Sequence, residues 1–498
     1  MTIMLRRLLP GFFQPVYAQT RYLSVILLAW AVFFLMTRLI LMAEVATSQG
    51  VELDAALFVL LVGSFYDVVF LLYAALVIWF LLLLLPWRWL PRLSFRWGLH
   101  LGWVISFFLM GFVAVAEYLF WDEFGVRFNF IAVDYLIYSK EVVDNVRQSY
   151  PLGGIFTGLG LLALLLGWLL TPGLRWVQAA PSAALAWRAW VALALLLSSV
   201  MLVFAVGQDG PGRREENTYH RELASNGPYQ FFAAFRNNEI DYPQFYAVIP
   251  EDEVAVRLRQ EVGAENTDFV ASEGLDIRRK IDNPGPAKRL NVILVTIESL
   301  SAKYLGSFGD TRGLTPNLDR LRTESLFFSH FYATGTRTDR GLEAITLSIP
   351  PTPGRSIVKR IGRESGYASL GYQFQRQGYD TAFVYGGRGY FDNMNAFFSG
   401  NGYRIIDQNS VAPDEIHFEN AWGMSDEDLY AQAIKQADLD HASGKPFFLQ
   451  LMTTSNHRPY TYPEGRIDIP SGSGREGAVK YTDYAVGEFL RQAKTKPW

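Results

Sequence analysis

The sequence predicts an α-helical membrane domain with five transmembrane helices, followed by an extracytoplasmic α/β domain whose mixed sheet is flanked by helices. Three observations carry this. Five long apolar runs fall within the first 206 of 498 residues. Arginines concentrate in alternate loops between those runs. From Leu290 onward, β-branched runs alternate with helix-like segments. The domains expected are 1–206 (membrane), 207–289 (linker with an amphipathic helix) and 290–498 (α/β domain, C-terminally incomplete).

The apolar runs are Tyr22–Met42, Ala56–Leu85, His100–Phe120, Gly154–Leu170 and Trp187–Val206. Each approaches or exceeds the roughly 20 residues a helix needs to cross a bilayer. Trp87, Trp89, Trp97 and Trp121 sit near their ends, where interfacial aromatics belong. The first run is too long, and too far from the start, for a cleaved signal peptide. Arg6, Arg7 and Arg21 precede it, Arg88, Arg92 and Arg96 lie in the second loop, and Arg175 and Arg188 in the fourth, all without an acid. The positive-inside rule makes these segments cytoplasmic and everything after Val206 extracytoplasmic. Inside the runs, Asp67 reads as a helix–helix contact or part of a lipid-binding cleft, and Glu117 as interfacial.

The third loop, Asp122–Pro151, alternates apolar Phe128, Phe130, Ile131, Val133, Tyr135 and Leu136 with polar positions, as expected of an interfacial helix. Between GQDGPGRREEN and DNPGPAK, the stretch PYQFFAAFRNN reads as a short amphipathic helix. A net charge of -3 gives no sign of nucleic-acid binding. The absence of cysteine excludes disulfides, thiolate chemistry and Cys-based zinc sites.

In the α/β domain, LNVILVTI reads as a strand buried on both faces. TPNLDRLRTESL follows as a helix, with Thr315 placed to cap it and Pro316 at its first position. LFFSHFYA, DTAFVY and PFFLQLM read as further strands. Ligands gather at the carboxyl ends of strands in such sheets. Those ends supply Glu298–Ser299, TGTRTDR, GGRGYFDN and TTSNHRPY with His457.

Thr338, at the start of a helix-like segment, either caps it or serves as a nucleophile. A cap alone does not activate a hydroxyl. A divalent cation would, by stabilising the alkoxide, and Glu298 is the nearest oxygen ligand in the pattern.

NVILVTIESL, TPNLDRL and FFSHFYATGTRT, in this order, resemble the front half of the sulfatase and alkaline-phosphatase superfamily. With five amino-terminal spans the sequence is similar to the lipoteichoic acid synthase and phosphoglycerol transferase family of the bacterial plasma membrane, whose outer domain is extracytoplasmic. The resemblance implies transfer of an anionic phosphoglycerol-type headgroup from a phosphatidylglycerol-like lipid to a glycan or glycolipid acceptor. It implies a metal, Mn²⁺ or Mg²⁺ rather than Zn²⁺, held by Glu298 and Thr338. Thr338 matches the nucleophile that forms a phosphothreonine-like intermediate, and His457 the histidine that contacts the headgroup phosphate. Phe391 and Asn393 fall among the substrate contacts. The family's Trp-Asn-Arg is here Phe391-Asp392-Asn393, which puts glycerol-phosphate specificity in doubt. The family's later Asp-His metal pair is not found before Trp498, and Asp438, Asp440 and His441 read instead as a helix end. The alternatives are a sulfatase-like hydrolase and an inactive headgroup-binding sensor. A phosphoethanolamine transferase is disfavoured, because those proteins have disulfide-rich outer domains.

Overall fold

The computed structural model describes residues 17–50, 52–137, 139–207, 217–236, 248–286, 288–335, 337–350 and 355–498. The chain forms two compact units, Met1–Ile137 with Pro151–Asn238, and Tyr138–Tyr150 with Glu239–Trp498.

The first unit holds α1 (Ala18–Gln49), α2 (Leu53–Leu84), α3 (Leu93–Phe124) and α4 (Phe130–Ile137). The helix α5 (Ser139–Ser149) belongs to the second unit. The first unit resumes with α6 (Leu152–Leu169), α7 (Thr171–Gln178), α8 (Leu185–Ala205), α9 (Thr218–Leu223) and α10 (Gly227–Arg236). Five of these helices, α1, α2, α3, α6 and α8, are long and apolar enough to cross a bilayer. The predicted multi-pass membrane architecture therefore stands, and the amphipathic stretch after the fifth span is helical as α10. Trp79, Trp103 and Phe107 are fully buried between the helices, whereas Leu61, Leu81 and Leu161 face outward. Apolar side chains on the outer surface are what lipid contact favours.

Two ion pairs are buried in this unit. Arg38 reaches both carboxylate oxygens of Asp67, at 2.6 and 2.8 Å. Arg127 pairs with Glu117 through Nε. Asp67 is thus a helix–helix contact, and Glu117, near the end of its helix, is buried against Arg127. Arg38, inside the first apolar run, escaped the sequence reading. A side chain on Gly63 would collide with its guanidinium, so the second span needs glycine there for Arg38 to reach Asp67.

The second unit continues with α11 (Glu251–Val262) and the antiparallel pair β1 (Thr267–Phe269) and β2 (Arg279–Ile281). Then follow β3 (Val292–Thr296), α12 (Pro316–Glu324), α13 (Thr338–Leu347), α14 (Leu370–Arg376), β4 (Asp380–Tyr385), α15 (Met394–Gly400) and β5 (Arg404–Ile406). The short antiparallel pair β6 (Glu419–Asn420) and β7 (Gly423–Met424) precedes α16 (Asp426–Ala442), β8 (Phe447–Met452) and α17 (Arg475–Ala493). The main sheet is parallel, in the order β3-β8-β4-β5. Alternate side chains feed two cores. Ala382, Val384, Leu449 and Leu451 pack with α16 and α17, and Phe383, Tyr385, Phe448 and Met452 with α13, α14 and α15. A parallel sheet covered on both faces needs such apolar runs.

Three expectations are corrected. β3 is only partly buried, because among the described residues it is hydrogen-bonded to β8 alone and lies at the sheet edge. LFFSHFYA is not a strand: no ladder partner accompanies it among the described residues, and Leu326 and Phe331 are 83% and 81% exposed. High β-propensity expresses fit to a neighbouring strand, so without one the run stays irregular. Thr315 makes no side-chain cap. Its hydroxyl bonds Asp319 at 3.0 Å, and the amides of Asn317 and Leu318 donate instead to Asp483 of α17.

Candidate active site

Thr296 and Tyr385 both stand opposite Met452 in the sheet register. The loops after β3, β4 and β8 therefore leave the sheet at one level. The loop Thr453–His457 grips the residue that follows β3. Glu298 N–H donates to Thr453 Oγ1 at 2.9 Å, and Asn456 Nδ2 donates to the Glu298 carbonyl at 3.0 Å. Asn456 is fully buried. Glu298 is thus positioned through its backbone from both sides.

Its carboxylate meets two hydroxyls. Thr338 Oγ1 donates to Oε2 at 2.8 Å, and Ser299 Oγ donates to Oε1 at 2.7 Å. Thr338 is the first residue of α13, and Arg337 takes the cap position without a side-chain bond. The Thr338 hydroxyl therefore does not cap the helix, as one expectation had it, but pairs with the acid. Ser299 is left-handed at φ 51, a conformation that costs a non-glycine residue about 1–3 kcal/mol and persists only where surroundings impose it.

His457 lies against an aromatic wall. Its ring centroid is 4.0 Å from that of Trp422, and Phe391 meets Trp422 edge-on at 5.4 Å. Trp422 Nε1 donates to the carbonyl of Arg458 at 2.5 Å, and His457 Nδ1 contacts the same carbonyl at 3.1 Å. A carbonyl only accepts, so in this contact Nδ1 is the donor and Nε2 the acceptor nitrogen of the ring. Asn393 is occupied otherwise: its Nδ2 donates to Val358 O at 3.0 Å and fastens the turn. Glu298 and Thr338 are joined directly, His457 and Phe391 through Trp422, and the Thr453–His457 loop links the two groups. Trp422 and Asn456 were not anticipated. For Asn456 the signal was available, since it sits in TTSNH immediately before His457.

A charged corner lies one residue from Thr338 in the chain. Lys359 Nζ is 2.9 Å from Asp392 and 3.8 Å from Asp339, and all three are buried. Burial opposes ionisation of Asp339, but Lys359 and Arg337 outweigh it and hold the carboxyl below the usual range. Burial, reinforced by the Asp339 charge, pushes Asp392 up to about 6 against the pull of Lys359. Asp392 and Asn393 are left-handed, at φ 53 and 60.

The expectation of a bound divalent cation, Mn²⁺ or Mg²⁺ rather than Zn²⁺, is corrected. Among the described residues, no group of three or more His, Cys, Asp or Glu converges as a metal would require. Glu298 and Thr338 supply two donors, against the four or more such cations take. The nearby acids are committed elsewhere, Asp339 to Lys359 and fully buried Asp426 to the amides of Thr454 and Ser455. Asp438 binds Lys496 and Trp498, and Asp440 binds Arg404, in keeping with a helix end.

With this geometry in place, comparison identifies the class. Residues 290–497 match the Sulfatase family model. Over 225 residues the chain is 28% identical to phosphoglycerol transferase I of Xanthomonas campestris pv. campestris, covering 42% of this chain and 32% of that protein. It is 24% identical over 223 residues to lipoteichoic acid synthase 2 of Bacillus subtilis, covering 42% and 33%. A solved structure of an alkaline phosphatase superfamily protein from Vibrio parahaemolyticus shares 43% identity over 43% of this chain and 52% of that one, with a TM-score of 0.41. The matched segment spans about a third of the length of the curated relatives. The C-terminal part of the chain is a sulfatase/alkaline-phosphatase superfamily domain. Within that superfamily it is homologous to the phosphoglycerol transferases and lipoteichoic acid synthases, and here it follows five membrane helices.

Proposed function

We propose that the protein transfers an anionic lipid headgroup, most simply glycerol phosphate from phosphatidylglycerol, to a glycan or lipid acceptor on the extracytoplasmic side of the membrane. One observation carries the reading: the 2.8 Å hydrogen bond from Thr338 Oγ1 to Glu298, at the start of a helix and the end of a strand. A hydroxyl paired with a carboxylate is the arrangement of a nucleophile and its base. In the first step Thr338 Oγ bonds to the lipid phosphorus while Glu298 takes the hydroxyl proton. The bond from phosphorus to the diacylglycerol oxygen breaks, and that oxygen leaves with a proton drawn from solvent. An acceptor hydroxyl then attacks the phosphothreonine diester and gives up its proton to solvent, the bond from phosphorus to Thr338 Oγ breaks, and Glu298 returns its proton so that Thr338 departs as the free hydroxyl. The amides at the start of α13 favour negative charge beside Thr338. His457 Nε2 serves the headgroup phosphate, and Phe391 with Trp422 forms the apolar wall. The arginine bias of the loops supports the extracytoplasmic placement.

The test is a headgroup-release assay on the purified chain in detergent, with fluorescent-headgroup phosphatidylglycerol and mass analysis of the peptide holding Thr338. Diacylglycerol release and an adduct on Thr338, both lost in Thr338→Ala, are expected. Release without an adduct would favour a hydrolase that uses water directly. Binding without release would favour a headgroup sensor.

A further inference from the structure

The helix α5 and the tyrosine after it stand in the sequence between the third and fourth apolar helices, yet they belong to the compact unit that carries the candidate site. Their contacts there are specific. Gln148 Oε1 accepts from the Ala421 amide at 3.0 Å, and the Tyr150 hydroxyl accepts from Arg458 at 2.5 Å. The Arg458 guanidinium also lies 5.6 Å from the Tyr150 ring centroid, within cation–π range. Ala421 precedes Trp422, and Arg458 follows His457. Each of the two adjoining rings is therefore held at the neighbouring residue by this one segment. The two grips are also coupled, because the Arg458 carbonyl receives both the Trp422 indole and the His457 ring.

We propose that Gln148 and Tyr150 are positioning residues that set the His457–Trp422 wall from within the loop joining two membrane spans. This deepens the proposed function and rests on it for the identity of the ligand. Their contacts fall beside Trp422 and His457, so they act on headgroup binding rather than on the bond-making step. Tyr150 is followed at once by Pro151 and the fourth apolar helix. The segment that contacts the neighbours of both rings is thus directly followed, in the sequence, by an apolar helix long enough to cross a bilayer. A lipid headgroup, which cannot leave the bilayer surface, is the ligand class that such a tether suits.

The full chain is tested in proteoliposomes, with the double variant Gln148→Ala, Tyr150→Phe. Amide hydrogen exchange across Thr453–Tyr460 is expected to accelerate about tenfold, the scale of losing two polar contacts, while exchange in Phe447–Met452 stays as in the parent. Unchanged exchange across Thr453–Tyr460 overturns the proposal, as does acceleration that extends equally through β8, which would indicate general loosening. Independently, the cysteine-free background allows Gln148→Cys with Ala421→Cys to be treated with a short bismaleimide. An intramolecular cross-link is expected, and its absence overturns the proposal. In the headgroup-release assay Tyr150→Phe is expected to raise KM about fivefold with kcat within twofold, and a fall in kcat at unchanged KM would overturn the positioning role. Failure of the parent to release headgroup would count against the proposed function alone, since exchange and cross-linking report on the wall without turnover.

Discussion

Glu298 is the residue on which the proposed chemistry turns, because its carboxylate accepts the Thr338 hydroxyl and can take its proton. Glu298→Gln keeps the shape and both backbone anchors but removes the base. Release of diacylglycerol is expected to fall by about 10²–10⁴-fold, the range of general-base contributions, with the thermal unfolding temperature unchanged. Asp392 makes a different prediction. Its folded pKa, pushed up to about 6, lies above the usual aspartate value of 3.8, so between those values the folded chain holds a proton that the unfolded chain has released. Stability therefore falls as pH rises from about 4 to 6, opposite to the usual salt-bridged carboxylate. Asp392→Asn is expected to remove that slope, measured as apparent Tm against pH in detergent. A slope that survives the substitution would assign it to another group.

At the scale of elements, α12 depends on a residue more than 160 positions away. Asp483 of α17 accepts from the amides of Asn317 and Leu318 at 3.0 and 2.8 Å, and again from Asn317 Nδ2 at 2.9 Å. Asp483→Ala is expected to lower stability by about 1–2 kcal/mol, as loss of a helix cap does, with Thr315→Val costing less. Equal costs in thermal melts would return the cap to Thr315. This element shows what the sequence conveyed and what it withheld. Pro316 at the first position announced the helix, because that signal is local. The cap was not legible, because Thr315 had the right chemistry and only the packing of α17 against α12 reveals the competing acid. The buried strands β4 and β8 were legible from their apolar runs. LFFSHFYA was misread because a strand is a property of two chains and a run of residues describes one. The site divides in the same way. Glu298 and His457 sit in loops next to readable elements and Thr338 opens a readable helix, whereas Trp422 lies between two-residue strands that no periodicity marks.

In the molecule as a whole, the membrane unit is organised around charges that its apolar sequence conceals. Arg38 of α1 and Arg127, just after α3, pair with Asp67 and Glu117, and both arginines also donate to the carbonyl of Ser225. Arg38 further reaches the Leu223 carbonyl at 3.1 Å, and Asn226 Nδ2 donates to Asp67 at 2.8 Å. The segment after the fifth span is thereby fixed to helices from the first three by polar contacts within the unit. Each partner is buried, so removing one strands the other without water. Asp67→Leu is expected to cost about 3–5 kcal/mol, whereas Arg38→Met with Asp67→Leu, which replaces both charges by apolar groups, is expected to recover most of that loss. Thermal unfolding of the purified chain in detergent, followed by a probe in the membrane unit, distinguishes the cases. If the double variant were as unstable as the single, the carbonyls of Leu223 and Ser225 would be the reason. Both would have lost the Arg38 donor, leaving the Leu223 carbonyl without it and that of Ser225 with Arg127 alone, and the stability of the unit would reside in its docking of the 217–236 segment rather than in the ion pair. Recovery in the double variant would place the cost in the stranded charge, and would show that the apolar packing of the spans suffices to hold the unit together.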